Sequence, residues 1–128
     1  MSLRDQIRVM VVDDMSTSRG LITQALDAIG IRNVASSGDG PTALRMIEAS
    51  PVHLVISDYN MPEMSGLHLL HALRSAPKTS KVGFLLITGR ADKEIIDHGR
   101  RLGMNNFVKK PFQPQELKSA IEAIVGRL

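Results

Sequence analysis

Five short apolar runs punctuate the chain, and each gives way to a polar or turn-forming residue. "RVMVV" (8–12) runs into Asp13 and Asp14, "NVASS" (33–37) into Gly38, and "HLVIS" (53–57) into Asp58. "GFLLI" (83–87) stops at Thr88, and "NFVKK" (106–110) at Pro111. Short β-branched runs bounded by turn formers predict strands, and their near-continuous apolarity predicts burial on both faces. Between the runs the period becomes helical. Leu21, Ile22, Ala25, Leu26 and Ile29 share one face, with Ser16 or Thr17 as the expected N-cap and Gly30 as the stop. Ala43, Leu44 and Ile47 mark a second helix, and Leu67, Leu70 and Leu73 a third. The fourth, in "ADKEIIDHGRRLG", has a thinner stripe of Ile95, Ile96 and Leu102, and carries Gly99 in its middle at a cost of ~1 kcal/mol relative to Ala. Leu117, Ile121, Ile124, Val125 and Leu128 line the fifth.

Strict alternation of strand and helix implies right-handed crossovers and a parallel sheet covered on both faces. The expected architecture is a three-layer, doubly wound α/β domain of the flavodoxin-like kind, one unit over residues 1–128 with no further output domain. Aromatic residues make up only 3% of the chain, so aliphatic side chains and methionine must fill the core. The absence of cysteine excludes disulfides, thiolate metal sites and thiol catalysis. The net charge of +3 is spread over scattered Arg and Lys, which argues against a nucleic-acid surface. No apolar stretch approaches the ~20 residues of a membrane span, and "MSLRDQIR" lacks the apolar core of a signal peptide. The expectation is a cytoplasmic, monomeric protein with no membrane partner.

In open parallel sheets, sites form at the carboxyl ends of the strands. Four of the five predicted strands deliver a reactive side chain there: Asp13 and Asp14, Asp58, Thr88, and Lys110. An aspartate after a strand is ordinarily a turn former or helix cap, but this topology would gather all four groups into one place. Three carboxylates in one pocket repel one another unless a cation joins them. Oxygen ligands without a His or Cys cluster point to Mg²⁺, which uses one or two carboxylates and leaves positions for phosphate and water. The Lys110 ammonium and the Thr88 hydroxyl suit phosphoryl oxygens, and an aspartate can accept the group covalently.

"VVDDMSTSR" (11–19), "VISDYNMPEMSGLHLL" (55–70), "ITG" (87–89) and "VKKPF" (108–112) together resemble the receiver domain of two-component response regulators. Within that family the chain resembles the single-domain chemotaxis regulators (CheY-type). The resemblance implies strand order 2-1-3-4-5 with five helices, and a phosphorylation-dependent switch rather than an enzyme that turns over an external substrate. It implies Asp58 as phosphoryl acceptor, Asp14, Asp58 and the main-chain carbonyl of Asn60 as Mg²⁺ ligands, and Asp13 acting through water. Thr88 and Phe107 take the places of the switch residues, Lys110 that of the cation, and the Lys110–Pro111 peptide is expected to be cis. Implied partners are a histidine kinase as donor, a flagellar motor switch protein or other target, and a phosphatase; the output surface would be the fourth helix, fifth strand and fifth helix. Three positions depart from the pattern. Phe107 stands where Tyr is usual, Ser65 where Asp is common, and Arg90, at a position bordering the site, is basic where an acid is familiar.

Other readings remain open at this stage. A phosphate sink or a receiver in another pathway would carry the same residues. A haloacid-dehalogenase-like phosphatase also joins Asp, Mg²⁺, Thr and Lys, but its D-x-D motif should follow the first strand, where "DD" stands. A flavin mononucleotide carrier would need an uncharged phosphate loop where Asp13 and Asp14 lie. His53, His68, His71 and His98 read as surface or boundary residues: His68 and His71 are one turn apart, with no third ligand apparent in the sequence. Met15, Met61 and Met64 flank the proposed pocket and read mainly as packing residues.

Overall fold

The structure, a computed structural model, describes residues 2–89 and 92–128. Its strands are β1 (Val9–Val12), β2 (Val34–Ser37), β3 (Leu54–Asp58), β4 (Gly83–Thr88) and β5 (Asn106–Lys109). Its helices are α1 (Leu3–Gln6), α2 (Ser16–Ile29), α3 (Gly40–Ala49), α4 (Gly66–Ser75), α5 (Lys93–Arg101) and α6 (Pro114–Val125). All strand pairs are parallel, in the order β2-β1-β3-β4-β5. The five expected helices are present, and the single turn of α1 is an addition. Ser2 starts that turn, its hydroxyl donating to Asp5 Oδ2 at 2.9 Å.

Alternate positions of a strand face opposite sides of the sheet. Val9 and Val11 of β1 therefore join a core under α2 and α6, with Leu26, Leu117 and Ile121, whereas Met10 and Val12 join a second core. That second core is closed by α3 and α4 through Ile47, Leu69, Leu70 and Leu73. Burial on both faces holds for β1 and β3 throughout and for nearly all of β4, but not for β2 and β5. Each of those edge strands has only one neighbour, and their outer positions meet solvent. No helix among the described residues is long and apolar enough to cross a membrane.

The start of α2 differs from expectation. Its N-cap is Met15, not Ser16 or Thr17. The Asp13 carboxylate accepts the Met15 N–H at 3.0 Å, so the turn-forming work falls to a residue two positions upstream. Met15 itself is exposed rather than packed, while Met61 is buried. Gly30 does end α2, in the left-handed conformation (φ 100°). Ser65, standing where Asp is common, caps α4 by accepting the His68 N–H at 3.3 Å.

Candidate functional site

Register carries the reactive residues to one edge. Val12 lies opposite Ser57, so Asp13 and Asp58 are the next pair out along β1 and β3. Asp58 lies opposite Ile87, which puts Thr88 one step beyond it, and Thr88 lies opposite Lys109, the residue before Lys110. Main-chain bonds continue these ladders past the last side chains: Asp13 N–H to Ser37 O at 3.1 Å, Tyr59 N–H to Ile87 O at 2.9 Å, and Lys110 N–H to Thr88 O at 2.9 Å.

At that edge the Lys110 ammonium lies 2.9 Å from Asp58 Oδ1 and 3.5 Å from Asp13 Oδ2. Asp13 is fully buried, Asp58 and Thr88 nearly so, and Asp14 is open to solvent. One carboxylate oxygen from each of Asp13, Asp14 and Asp58 falls within 4.8 Å of the others. Burial raises the Asp58 carboxyl above its ordinary value of 3.8; the Lys110 hydrogen bond and charge pull it down, and Asp13 and Asp14 push it up again. Among the described residues the Lys110 ammonium alone does not balance three carboxylates, and an oxygen-only donor set of this size suits a hard divalent cation. Asp58, Tyr59, Asn60, Thr88 and Gly89 line a cleft of about 220 Å³, open for an incoming group. A larger cleft of about 570 Å³ lies toward the opposite end of the outer sheet edge, around Met46, Arg8 and Arg32, far from these residues in the fold.

The loop after Asp58 is shaped by backbone rather than side-chain chemistry. Gly66 N–H returns to Tyr59 O at 2.9 Å, and Glu63 sits in the left-handed region (φ 66°). A Cβ on Gly66 would run into the Asp58 carbonyl oxygen and approach Leu86 Cδ1 to 2.9 Å. The first turn of α4 therefore lies directly on the backbone of Asp58, and only glycine permits it. The Lys110–Pro111 peptide is cis. Phe107 is half-buried against the second core. Arg90 lies outside the described residues.

Two residues of "VVDDMSTSR" to which the sequence reading gave no role of their own belong to the site. Ser18 Oγ accepts from the Lys110 ammonium at 2.8 Å. Arg19 Nη1 donates to the Asp13 carbonyl at 2.6 Å, fixing the end of β1. The only hint was position: both lie in the first turn after "VVDD", on the helix whose N-terminus faces the strand ends.

The profile of the response regulator receiver domain family matches residues 9–122. A probable chemotaxis protein CheY from Rhizobium etli is 41% identical over 128 residues, spanning all of this chain and 99% of its own. The solved structure of Vibrio cholerae chemotaxis protein CheY4 superposes with a TM-score of 0.86 at 27% identity, over 92% of this chain and 98% of that one. The receiver domain of a Pseudomonas aeruginosa sensor histidine kinase, solved with a magnesium ion coordinated in its active site cleft, has the same fold. Its TM-score is 0.84 at 23% identity, covering 94% of this chain and 98% of that one. The phosphatase and flavin-carrier alternatives gain no support from these likenesses.

Proposed function

The chain belongs to the response regulator receiver family, a phosphorylation-dependent switch of two-component signalling, and on that premise we propose that Asp58 is its phosphoryl acceptor. The supporting observation is Asp58 at the end of a central strand, buried, with an ammonium at 2.9 Å and two further carboxylates clustered around it. A carboxylate oxygen of Asp58 attacks the phosphorus of a kinase phosphohistidine whose ring is protonated on its other nitrogen; the P–N bond breaks with its electron pair staying on the ring, an acyl phosphate forms and neutral imidazole leaves. Lys110 stays within reach of the transferred oxygens and neutralises their charge, and the Thr88 hydroxyl moves to donate to one of them.

Asp14, Asp58 and the Asn60 main-chain carbonyl are the proposed Mg²⁺ ligands, with Asp13 assisting through water. When bound, the ion supplies charge compensation for the carboxylates and the phosphoryl oxygens. Movement of Thr88 vacates space into which Phe107 turns, and this alters the surface formed by α5, β5 and α6. As Phe lacks a hydroxyl, its contribution to a partner there is packing alone. The proposed setting is chemotaxis, with a flagellar motor switch protein as reader and no external substrate turned over.

The test is labelling with acetyl phosphate and Mg²⁺, read by intact mass. Wild type should gain one phosphoryl group, and Asp58→Asn none; equal labelling of the two removes the assignment. Pull-downs with beryllofluoride-treated protein then separate the readers: enrichment of a motor-switch fragment supports the motor role, and capture of kinase fragments alone supports a phosphate sink.

A further inference from the structure

A second set of metal-ligating side chains lies apart from the carboxylates. His68 and His71 stand one turn apart on α4, and α5 brings His98 to the same cleft of about 470 Å³. His53 differs from these three: its Nδ1 accepts the Arg8 N–H at 2.9 Å, as a structural histidine would. The rings of His68, His71 and His98 make no hydrogen bond among the described residues, and all three residues are exposed. Three imidazoles on two helices are a donor set for a borderline transition ion, and a poor one for Mg²⁺.

We propose that His68, His71 and His98 form a transition-metal site that bridges α4 and α5 and takes a borderline divalent ion such as Zn²⁺ or Ni²⁺. As the side chains stand, their ring nitrogens are not all within 4.8 Å of one another. Closure requires rotation of exposed rings, which exchange rotamers on the ps–ns timescale without disturbing the core. The ion would matter most to α5, where Gly99 alone is fully buried and Ile95 and Ile96 pack on the second core only in part. A helix held by so little buried surface opens readily, and a metal bridge to α4, whose leucines are buried, would pin it. Tyr59 forms a wall of this cleft and also of the cleft beside Asp58. The ion therefore sits across one side chain from the phosphorylation site, without using any of its ligands.

Tyr59 also supplies the readout, because the chain has one tyrosine and no tryptophan. Tag-free protein in saturating Mg²⁺ is titrated with Ni²⁺ by tyrosine fluorescence, and with Zn²⁺ by calorimetry. One ion per chain should bind and Ni²⁺ should quench the signal, with His98→Ala weakening affinity at least about tenfold, since losing a ligand costs no less than losing a group that merely orients one. His68→Ala and His71→Ala should do the same, while Asp58→Asn leaves affinity unchanged. Thermal melts of the three histidine variants should match wild type without added transition metal, since all three side chains are exposed. Absence of binding overturns the site, and binding that survives His98→Ala shows a chelate on α4 alone and overturns the bridge. Loss in Asp58→Asn would move the ion to the carboxylates and also overturn it. Because acetyl phosphate labelling is measured separately, failure here leaves the reading of Asp58 untouched.

Discussion

Asp58 binds its proton more tightly in the folded chain than in the unfolded one, because burial outweighs the help from Lys110. Folded stability therefore falls as pH rises from the ordinary carboxyl value of 3.8 through the raised one, and the whole penalty is present at neutral pH. In buffer stripped of divalent ions, Asp58→Asn should melt above wild type at neutral pH. The difference should vanish below the ordinary carboxyl value, where both side chains are neutral; a lower-melting variant at neutral pH would mean that the Lys110 pair outweighs burial. Gly66 offers a second test. Gly66→Ala drives a methyl group into the Asp58 carbonyl and Leu86, which should cost roughly 1–3 kcal/mol in chemical denaturation and slow acetyl phosphate labelling. At this scale the sequence revealed the residues whose strand ends announce them: Asp13, Asp58, Thr88 and Lys110. It hid Ser18, whose contact with Lys110 spans 92 positions, and the sharing of one cleft by His98, His68 and His71. Those depend on how two helices lie against the sheet and each other, which no local pattern records.

The elements show where local signals compete. Ser16 and Thr17 are good capping residues, yet α2 begins at Ser16 with Met15 as N-cap, because the Asp13 carboxylate already holds the Met15 N–H. α1 went unseen because four residues carry no hydrophobic period. In α5 the glycine read as a cost has a packing reason: a Cβ on Gly99 would meet Met104 Sδ at 2.8 Å and Leu67 Cδ2 at 3.4 Å. Helix propensity favours Ala by ~1 kcal/mol, and the flexible end of Met104 can retreat at a comparable cost. Gly99→Ala should accordingly stay within about 1 kcal/mol of wild type in urea unfolding. Gly99→Leu, too large for Met104 to accommodate, should lose several times that by pushing α5 off α4. Equal effects of the two substitutions would show that α5 is not seated on Met104 and Leu67.

Over the whole molecule, the sheet separates two cores, and the site lies where neither covers it, at the carboxyl edge. Its charged groups come from the residues just after β1, from the end of β3 and from the residue after β5; Lys110 and Asp13 are 97 positions apart. An unfolded chain cannot hold those groups together, so an ion bound by the carboxylates stabilises only the folded state and does so by full mass action. Mg²⁺ at ten times its dissociation constant should add about 1.4 kcal/mol to the unfolding free energy. The gain should be visible as a rise in Tm that grows with the logarithm of Mg²⁺ concentration. Asp58→Asn and Asp14→Asn should flatten that rise, each by removing a ligand. Leu26→Ala, in the core beneath α2, should lower Tm through a loss of about 2–5 kcal/mol and leave the Mg²⁺ increment intact, since the cavity it opens is remote from the edge. An increment that disappears with Leu26→Ala but persists in Asp58→Asn would mean that the ion stabilises the protein somewhere other than the strand ends.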